Sequence, residues 1–480
     1  MPQGLASIER QDLRPLAVLV AFGVLLRVTV LLASTGILWP DTGLFVGSAR
    51  SLLTDQPFSL HVYKTPLYPL FLSVFMWFGE THITGQAITV TQQLMGLAST
   101  LVFYLVARQV FGRTVALWSS LLFSAHTLQL FYELSVLSEA LFVFLLAILI
   151  HQSMKAMRNP TWDTAAFVGL LSGLATLARP VAQAFVLVIL AGVILGSGWR
   201  SQLRRALAAG VVMVVAYSAV VTPWMYVNFR RLGYFGVSLG HGFGLLTRVF
   251  MIDQAEPVPD TRYPDVKQAL EYSRKRKSRN PYHVTRRLRG EHGSARMEMD
   301  RRLAGFALET IRAHPWDYAR NSLGNWKAQM FIEKEDVHVC RENDGGPYLC
   351  SSRMTGKSSR MFPNIPPPGR TALKEAVTRW FEIGYTRMRL LVPLALAGII
   401  LALFSARVER RAALLLAAAI VYFSGIPALI AFPEERYRLP IDPFLFMFAV
   451  FAVVTGVSAV RRAAGRARRP AVAGQPAECG

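Results

Sequence analysis

The sequence predicts an all-α membrane protein. It is a polytopic transmembrane helical bundle of about ten spans, with interfacial helices in the first outer loop and a small mixed extracytoplasmic domain. Two observations carry this expectation. Of 480 residues, 52% are hydrophobic and 17% charged, and the apolar ones gather in runs of about 20, the length that crosses ~30 Å of hydrocarbon. Arginines and lysines cluster in the short segments between alternate runs, as the positive-inside rule requires. That clustering explains much of the formal net charge of +22, which on a soluble chain would point to nucleic acid. No nucleic-acid partner is expected.

Taken in order, Met1–Pro15 is polar and basic and is followed by an apolar run long enough to span, so no cleavable signal peptide is expected. The spans read as Leu16–Leu38, Gln86–Ala107, Val115–Leu130, Glu139–Met154, Trp162–Ala178, Val181–Ser197, Ala206–Val221, Met388–Ser405, Ala412–Ala431 and Ile441–Val460. Leu67–Phe78 is apolar but too short to span comfortably. If it does not cross, Arg10/Arg14, Arg108/Arg113, Lys155/Arg158, Arg200/Arg204/Arg205, Arg407/Arg410/Arg411 and the tail Arg461–Arg469 all fall on one side. The charge rule therefore makes it an interfacial or re-entrant helix and puts both termini in the cytoplasm of a plasma (inner) membrane protein.

The outer side then receives Asp41–Pro66, Gln129–Ser138, Arg179-Pro180, Pro223–Arg387 and Phe432–Pro440. The expected organisation is an N-terminal membrane catalytic module (1–222) with its first outer loop at 39–66. An extracytoplasmic domain (223–387), C-terminal spans (388–461) and a basic cytoplasmic tail (462–480) follow. The basic residues of the outer domain suit anionic lipid headgroups or a lipid-linked acceptor, or form a plain solvated surface. Of the three cysteines, Cys340 and Cys350 share this segment, where a disulfide is permitted, and Cys479 lies in the tail. The spacing around His338 matches no metal pattern. The Gly-rich stretch Ser238–Gly244 is open to two readings, an acceptor groove or a flexible linker.

Ionisable residues collect at the outer span ends. Asp41 follows Trp39-Pro40; Lys64 sits in a proline-framed run with His61 and Tyr63 just before it; Glu139 opens a span after Ser138. Arg179-Pro180 breaks two spans, and Glu434-Glu435-Arg436-Tyr437-Arg438 fills the mouth of the last pair. Individually these read as helix caps or snorkelling side chains. Together on one face they read as a site: arginine forks suit phosphate oxygens, and membrane-embedded charges usually have a function.

The set resembles the membrane glycosyltransferases of the C fold. Asp41, Lys64-Thr65-Pro66-Leu67-Tyr68-Pro69, Ser138-Glu139-Ala140-Leu141-Phe142, Leu177-Ala178-Arg179-Pro180, Thr222-Pro223-Trp224 and Glu435-Arg436-Tyr437-Arg438-Leu439-Pro440 recur in that family's order. The nearest branch holds the protein O-mannosyltransferases, lipid A aminoarabinose transferases and rhizobial galacturonosyltransferases. The resemblance implies sugar transfer from a polyprenyl-phosphate donor to a hydroxyl of an outer-face protein, lipid or glycan acceptor, with membrane lipids as further partners. It implies Asp41 as base and Glu139 on the sugar or acceptor side, both catalytic. Lys64, Arg179, Arg436 and Arg438 would hold the donor phosphate, and His61, Tyr63 and Tyr437 would line the substrate. Asp41-Thr42 stands where several relatives have Asp-Glu, so no paired-acid metal site and no cofactor is expected. The alternative is a transporter or flippase of a lipid-linked saccharide, disfavoured because no repeat is evident and the charges sit at span ends rather than midplane.

Overall fold

The computed structural model describes residues 9–34, 36–54, 64–196, 203–276, 281–292, 296–333, 337–342, 346–351, 372–406, 408–431 and 433–467. His61, Tyr63 and Cys479 lie outside them.

The first helix, α1 (Arg10–Ala33), carries the logic of the whole bundle. Its aliphatic side chains Leu25 and Leu32 are exposed while Arg27 is buried, the reverse of a soluble helix. Among the described residues, six helices are long and apolar enough to cross a membrane: Arg10–Ala33, Ile83–Phe111, Glu139–Arg158, Leu203–Leu232, Arg410–Ile430 and Asp442–Ala464. A pair bent by 57°, Ala372–Ile383 with Met388–Phe404, makes a seventh if counted as one. Leu67–Met76, Trp162–Ala178 and Pro180–Leu195 are shorter apolar helices. The chain is a membrane protein.

After α1 the chain folds into two short helices, α2 (Pro40–Leu53) and α3 (Leu67–Met76). They precede the long α4 (His82–Phe111). The predicted span Val115–Leu130 is instead broken at Ala125-His126 into α5 (Arg113–Ser124) and α6 (Thr127–Leu134). The break has a polar cause, since His126 is held by groups on other elements. Next come α7 (Glu139–Arg158), α8 (Trp162–Ala178), α9 (Phe185–Gly196) and α10 (Leu203–Leu232). The last runs through Pro223 to Leu232, so the expected boundary at 222/223 falls within a helix.

The outer segment begins with α11 (His241–Thr247), a π-helical turn at Arg248–Asp253, α12 (Pro264–Lys275), α13 (Pro281–His292), α14 (Arg296–Ala313) and α15 (Pro315–Phe331). It has its own apolar core, including Leu246, Leu270, Leu288, Leu303 and Phe306. The Gly-rich stretch leads into α11 and packs on α14. The Asp300 carboxylate accepts from the backbone N–H groups of Gly240 (3.3 Å), Gly242 (3.3 Å) and Phe243 (3.2 Å), capping α11 against α14. A Cβ on Gly242 would lie 1.9 Å from the Asp300 carbonyl oxygen. Gly242→Ala is therefore expected to destabilise this packing by about 1–3 kcal/mol. Limited proteolysis of the outer segment checks it, and unchanged protease resistance would refute it.

The outer helices dock on the C-terminal spans through buried polar groups. These spans follow an antiparallel hairpin, β1 (Val337–Glu342) and β2 (Gly346–Ser351), and comprise α16 (Ala372–Ile383), α17 (Met388–Phe404), α18 (Arg410–Ile430), the single turn α19 (Glu435–Arg438) and α20 (Asp442–Ala467). Arg248, fully buried, donates to the Ala428 carbonyl (2.7 Å) and to Ser322 (3.0 Å). Asn325 donates to the Ala428 and Ala431 carbonyls at 3.0 and 2.7 Å. These bonds satisfy carbonyls that the end of α18 leaves without helical partners. In the hairpin, register sets Cys340 opposite Tyr348 and Cys350 opposite His338, two register positions apart. Their side chains lie outside the described atoms.

One polar cluster lies inside the bundle. Arg27, in the middle of α1, pairs with Glu133 of α6 at 2.8 Å, and both side chains are buried. Arg27 also bonds the Gln93 carbonyl (2.9 Å) and Ser124 (3.2 Å), and Gln129 donates to Glu133 at 3.0 Å. The carboxylate fills space left by Gly96 of α4, where a Cβ would meet it at 1.7 Å. This corrects the expectation that charges sit only at span ends.

Candidate active site

The site is built by pairing two loops. The segment before α2 forms a parallel bridge with the segment after α6, Ile37 beside Ser135. The Ile37 N–H donates to the Leu134 carbonyl (2.9 Å) and the Val136 N–H donates to the Ile37 carbonyl (3.0 Å). Side chains lock the register: Thr42 donates to the Val136 carbonyl at 3.0 Å, and the Trp39 indole donates to Ser135 at 3.1 Å while stacking on Tyr132. Pro40 opens α2, where the missing N–H does no harm. Two acids far apart in sequence, Asp41 and Glu139, are thereby brought to one cavity.

A second tie brings the cations. Thr65 donates to the Ala178 carbonyl at 3.1 Å, joining the Lys64 turn to the end of α8. There Arg179 leaves the helix in extended geometry, and Pro180 starts a 3-10 turn. Its guanidinium lies 2.6 Å from Glu139 and over the Phe142 ring. Lys64 lies 2.8 Å from Asp41, its ammonium 4.8 Å from the centre of the Phe45 ring. From the other end of the chain, Arg436 of α19 comes within 3.5 Å of the same Asp41 oxygen and is ion-paired to buried Glu434.

These groups line one cavity of about 190 Å³ with Phe45, Leu137, Ser138, Pro180 and Tyr437. Its lining carries three cations (Lys64, Arg179, Arg436) and two carboxylates (Asp41, Glu139), with Glu434 paired to Arg436. Burial works to raise the Asp41 carboxyl, but the charges of Lys64 and Arg436 outweigh it and hold it below its ordinary value. Burial pushes the Lys64 ammonium down, and the neighbouring Asp41 recovers only part of that shift. The cavity therefore holds an ionised carboxylate beside cations in a polar niche open to a ligand. Among the described residues, no group of three or more His, Cys, Asp or Glu side chains is disposed to hold a metal ion.

Six sequence-selected residues thus meet: Asp41, Lys64, Glu139, Arg179, Arg436 and Tyr437. Arg438 does not join them. It points away from the cavity, buried, donating to the Ile332 carbonyl and pairing with Asp442 at 3.0 Å. Asp442 in turn meets His126 at 3.0 Å, and His126 meets Thr386 at 2.8 Å. Sequence reasoning passed over His126, Thr386 and Asp442. Only a histidine inside an apolar run and an acid at a span start marked two of them.

Residues 63–226 match the family described as dolichyl-phosphate-mannose-protein mannosyltransferase, a stretch that contains Lys64, Glu139 and Arg179. No curated protein matches the chain. Among solved structures, the oligosaccharyltransferase of Archaeoglobus fulgidus in the apo form is similar over 96% of this chain, at 14% identity and a TM-score of 0.50. This chain covers 52% of it, about half its length. ArnT from Cupriavidus metallidurans bound to undecaprenyl phosphate aligns at 13% identity and TM-score 0.37, over 94% of this chain and 80% of that one. Arabinosyltransferase EmbB from Mycobacterium smegmatis aligns at 14% identity and TM-score 0.35, over 96% and 42%. The ordered bundle, the matched stretch and the shared architecture agree: the chain has the C fold of the membrane glycosyltransferases.

Proposed function

We propose that this protein is a glycosyltransferase that moves a sugar from a polyprenyl-phosphate carrier to an acceptor hydroxyl on the extracytoplasmic face of the plasma (inner) membrane, with inversion. The observation that carries the reading is Asp41, ionised and shared between Lys64 (2.8 Å) and Arg436 (3.5 Å) in an open cavity that three cations line. The family match across residues 63–226, described by a dolichyl-phosphate sugar, supports the same donor class.

Lys64 and Arg436 hold the carrier phosphate and absorb the charge that builds on it as the glycosidic bond breaks. Asp41, relieved of those cations by the phosphate, takes the proton of the acceptor hydroxyl as its oxygen attacks the sugar's anomeric carbon. Glu139, anchored by Arg179, orients sugar or acceptor hydroxyls. Both termini are cytoplasmic, as the arginine and lysine clusters favour. The outer helices cover the acceptor side.

The test is purified protein in nanodiscs with a panel of radiolabelled polyprenyl-phosphate sugars and cell-envelope acceptors. Turnover of one donor, lost in Asp41→Asn, establishes the reaction. Tight donor binding without turnover under all acceptors would overturn it in favour of a lipid-linked saccharide transporter.

A pH profile gives a second check. Lys64 binds phosphate only while protonated, and its value lies below the ordinary 10.5. The kcat/KM of the free enzyme should therefore fall as pH rises through a value below 10.5, and Lys64→Arg should carry that limb upward, since arginine stays charged. An alkaline limb that does not move in Lys64→Arg would remove Lys64 from phosphate binding.

A further inference from the structure

The single turn α19 serves two places at once. Arg436 points into the cavity, toward Asp41, while Arg438 points the other way. Residues two apart on a helix diverge by about 200°, so a turn this short cannot move one arginine without moving the other. What holds Arg438 therefore bears on where Arg436 sits.

Arg438 is held by Asp442, and Asp442 divides its carboxylate. One oxygen accepts from the Arg438 Nε at 3.0 Å, and the other lies 3.0 Å from the His126 Nε2. The far ring nitrogen, Nδ1, lies 2.8 Å from the Thr386 hydroxyl. All of these side chains but Thr386 are nearly fully buried. The groups stand at three breaks in the helical scaffold: His126 at the α5–α6 break, Thr386 at the 57° bend between α16 and α17, and Asp442 at the start of α20. His126, Thr386 and Arg438 border a water-sized chamber separate from the main cavity, into which Glu333, Glu435 and Tyr385 also face. A histidine inside an otherwise apolar run is costly unless both ring nitrogens are satisfied, and here both are.

We infer that His126 is a positioning residue for the active site: through its Nε2 bond to Asp442 it fixes Arg438, and with it the orientation of α19 that delivers Arg436 and Tyr437 to the cavity. The inference rests on the proposed reading for its link to catalysis, but its geometric content does not. It assigns the work to one nitrogen of the ring. A glutamine at 126 places its amide nitrogen near the Nε2 position and keeps the bond to Asp442. An asparagine reaches only the Nδ1 position and keeps the bond to Thr386 instead.

The experiment reads the turn directly in the full-length membrane protein. Tyr437→Cys reports on α19, and Ser138→Cys reports on the opposite wall of the same cavity. Each is reacted with a water-soluble maleimide, and mass spectrometry of the relevant peptide distinguishes it from native cysteines. In the His126→Asn background, reaction at position 437 should rise about tenfold, the scale of losing one hydrogen bond to a charged group, while position 138 stays within about twofold. His126→Gln should restore the parent rate at 437. If Asn and Gln behave alike, or if both reporters rise together, His126 is a general structural residue and the inference fails. Because the readout needs no substrate, it fails or stands independently of the donor panel. If the 126 variants do not fold, Thr386→Val supplies the remaining arm: loss of the Nδ1 bond alone should leave position 437 near the parent rate, and a rise there equal to the full effect would overturn the assignment to Nε2.

Discussion

Asp41→Asn is expected to reduce kcat by about 10²–10⁴-fold, the range over which a positioned general base contributes. The substitution keeps the shape of the side chain, so the loop pairing around Trp39 and Thr42 should persist. It also removes the counter-charge that Lys64 and Arg436 now share. Affinity for a bare polyprenyl phosphate should therefore hold or rise, because the anion no longer competes with a carboxylate for its cations. Single-turnover transfer and equilibrium binding of the phosphate carrier measure the two effects separately. A variant with near-normal turnover would remove Asp41 as the base. One that lost both turnover and phosphate affinity would make it a structural support of Lys64.

The largest effect on stability is expected inside the bundle. Arg27→Met leaves the Glu133 carboxylate buried without its cation, a change that destabilises by about 3–5 kcal/mol. The paired variant Arg27→Met/Glu133→Leu should recover most of that loss, since an apolar pair of similar volume needs no compensation in a low-dielectric interior. Thermal unfolding in detergent, followed for both variants against the parent, decides it. A single variant as stable as the parent would mean that Glu133 is already neutral or hydrated.

Much of the site was legible in the sequence because its members sit at span ends on one face. The membrane itself limits where Asp41, Lys64, Glu139, Arg179 and Arg436 can go. What sequence reasoning missed depends on direction rather than depth. Arg436 and Arg438 look equivalent in a run of charges, and only the helical turn of α19 sends one into the cavity and the other toward Asp442. Arg27 and Glu133 escaped because each is unremarkable alone, and their pairing joins α1 to α6 across a distance no local pattern encodes. The break at His126 was hidden for the same reason: its partners Thr386 and Asp442 lie in the last third of the chain. The fold class needed only the length of the apolar runs, whereas the number of full crossings depends on bends that apolar composition does not record.

The loop pairing between Ile37 and Ser135 sets an order of assembly. Both acids and Lys64 belong to the first part of the chain to be made, whereas Arg436 and Tyr437 arrive with the last outer turn. At about 5–20 residues per second, ribosomal synthesis leaves an interval of roughly 15–60 s between Glu139 and Arg436. During that interval Asp41 and Lys64 have each other as partners. A nascent chain therefore carries its Asp41–Lys64 pair for that long before Arg436 can join it.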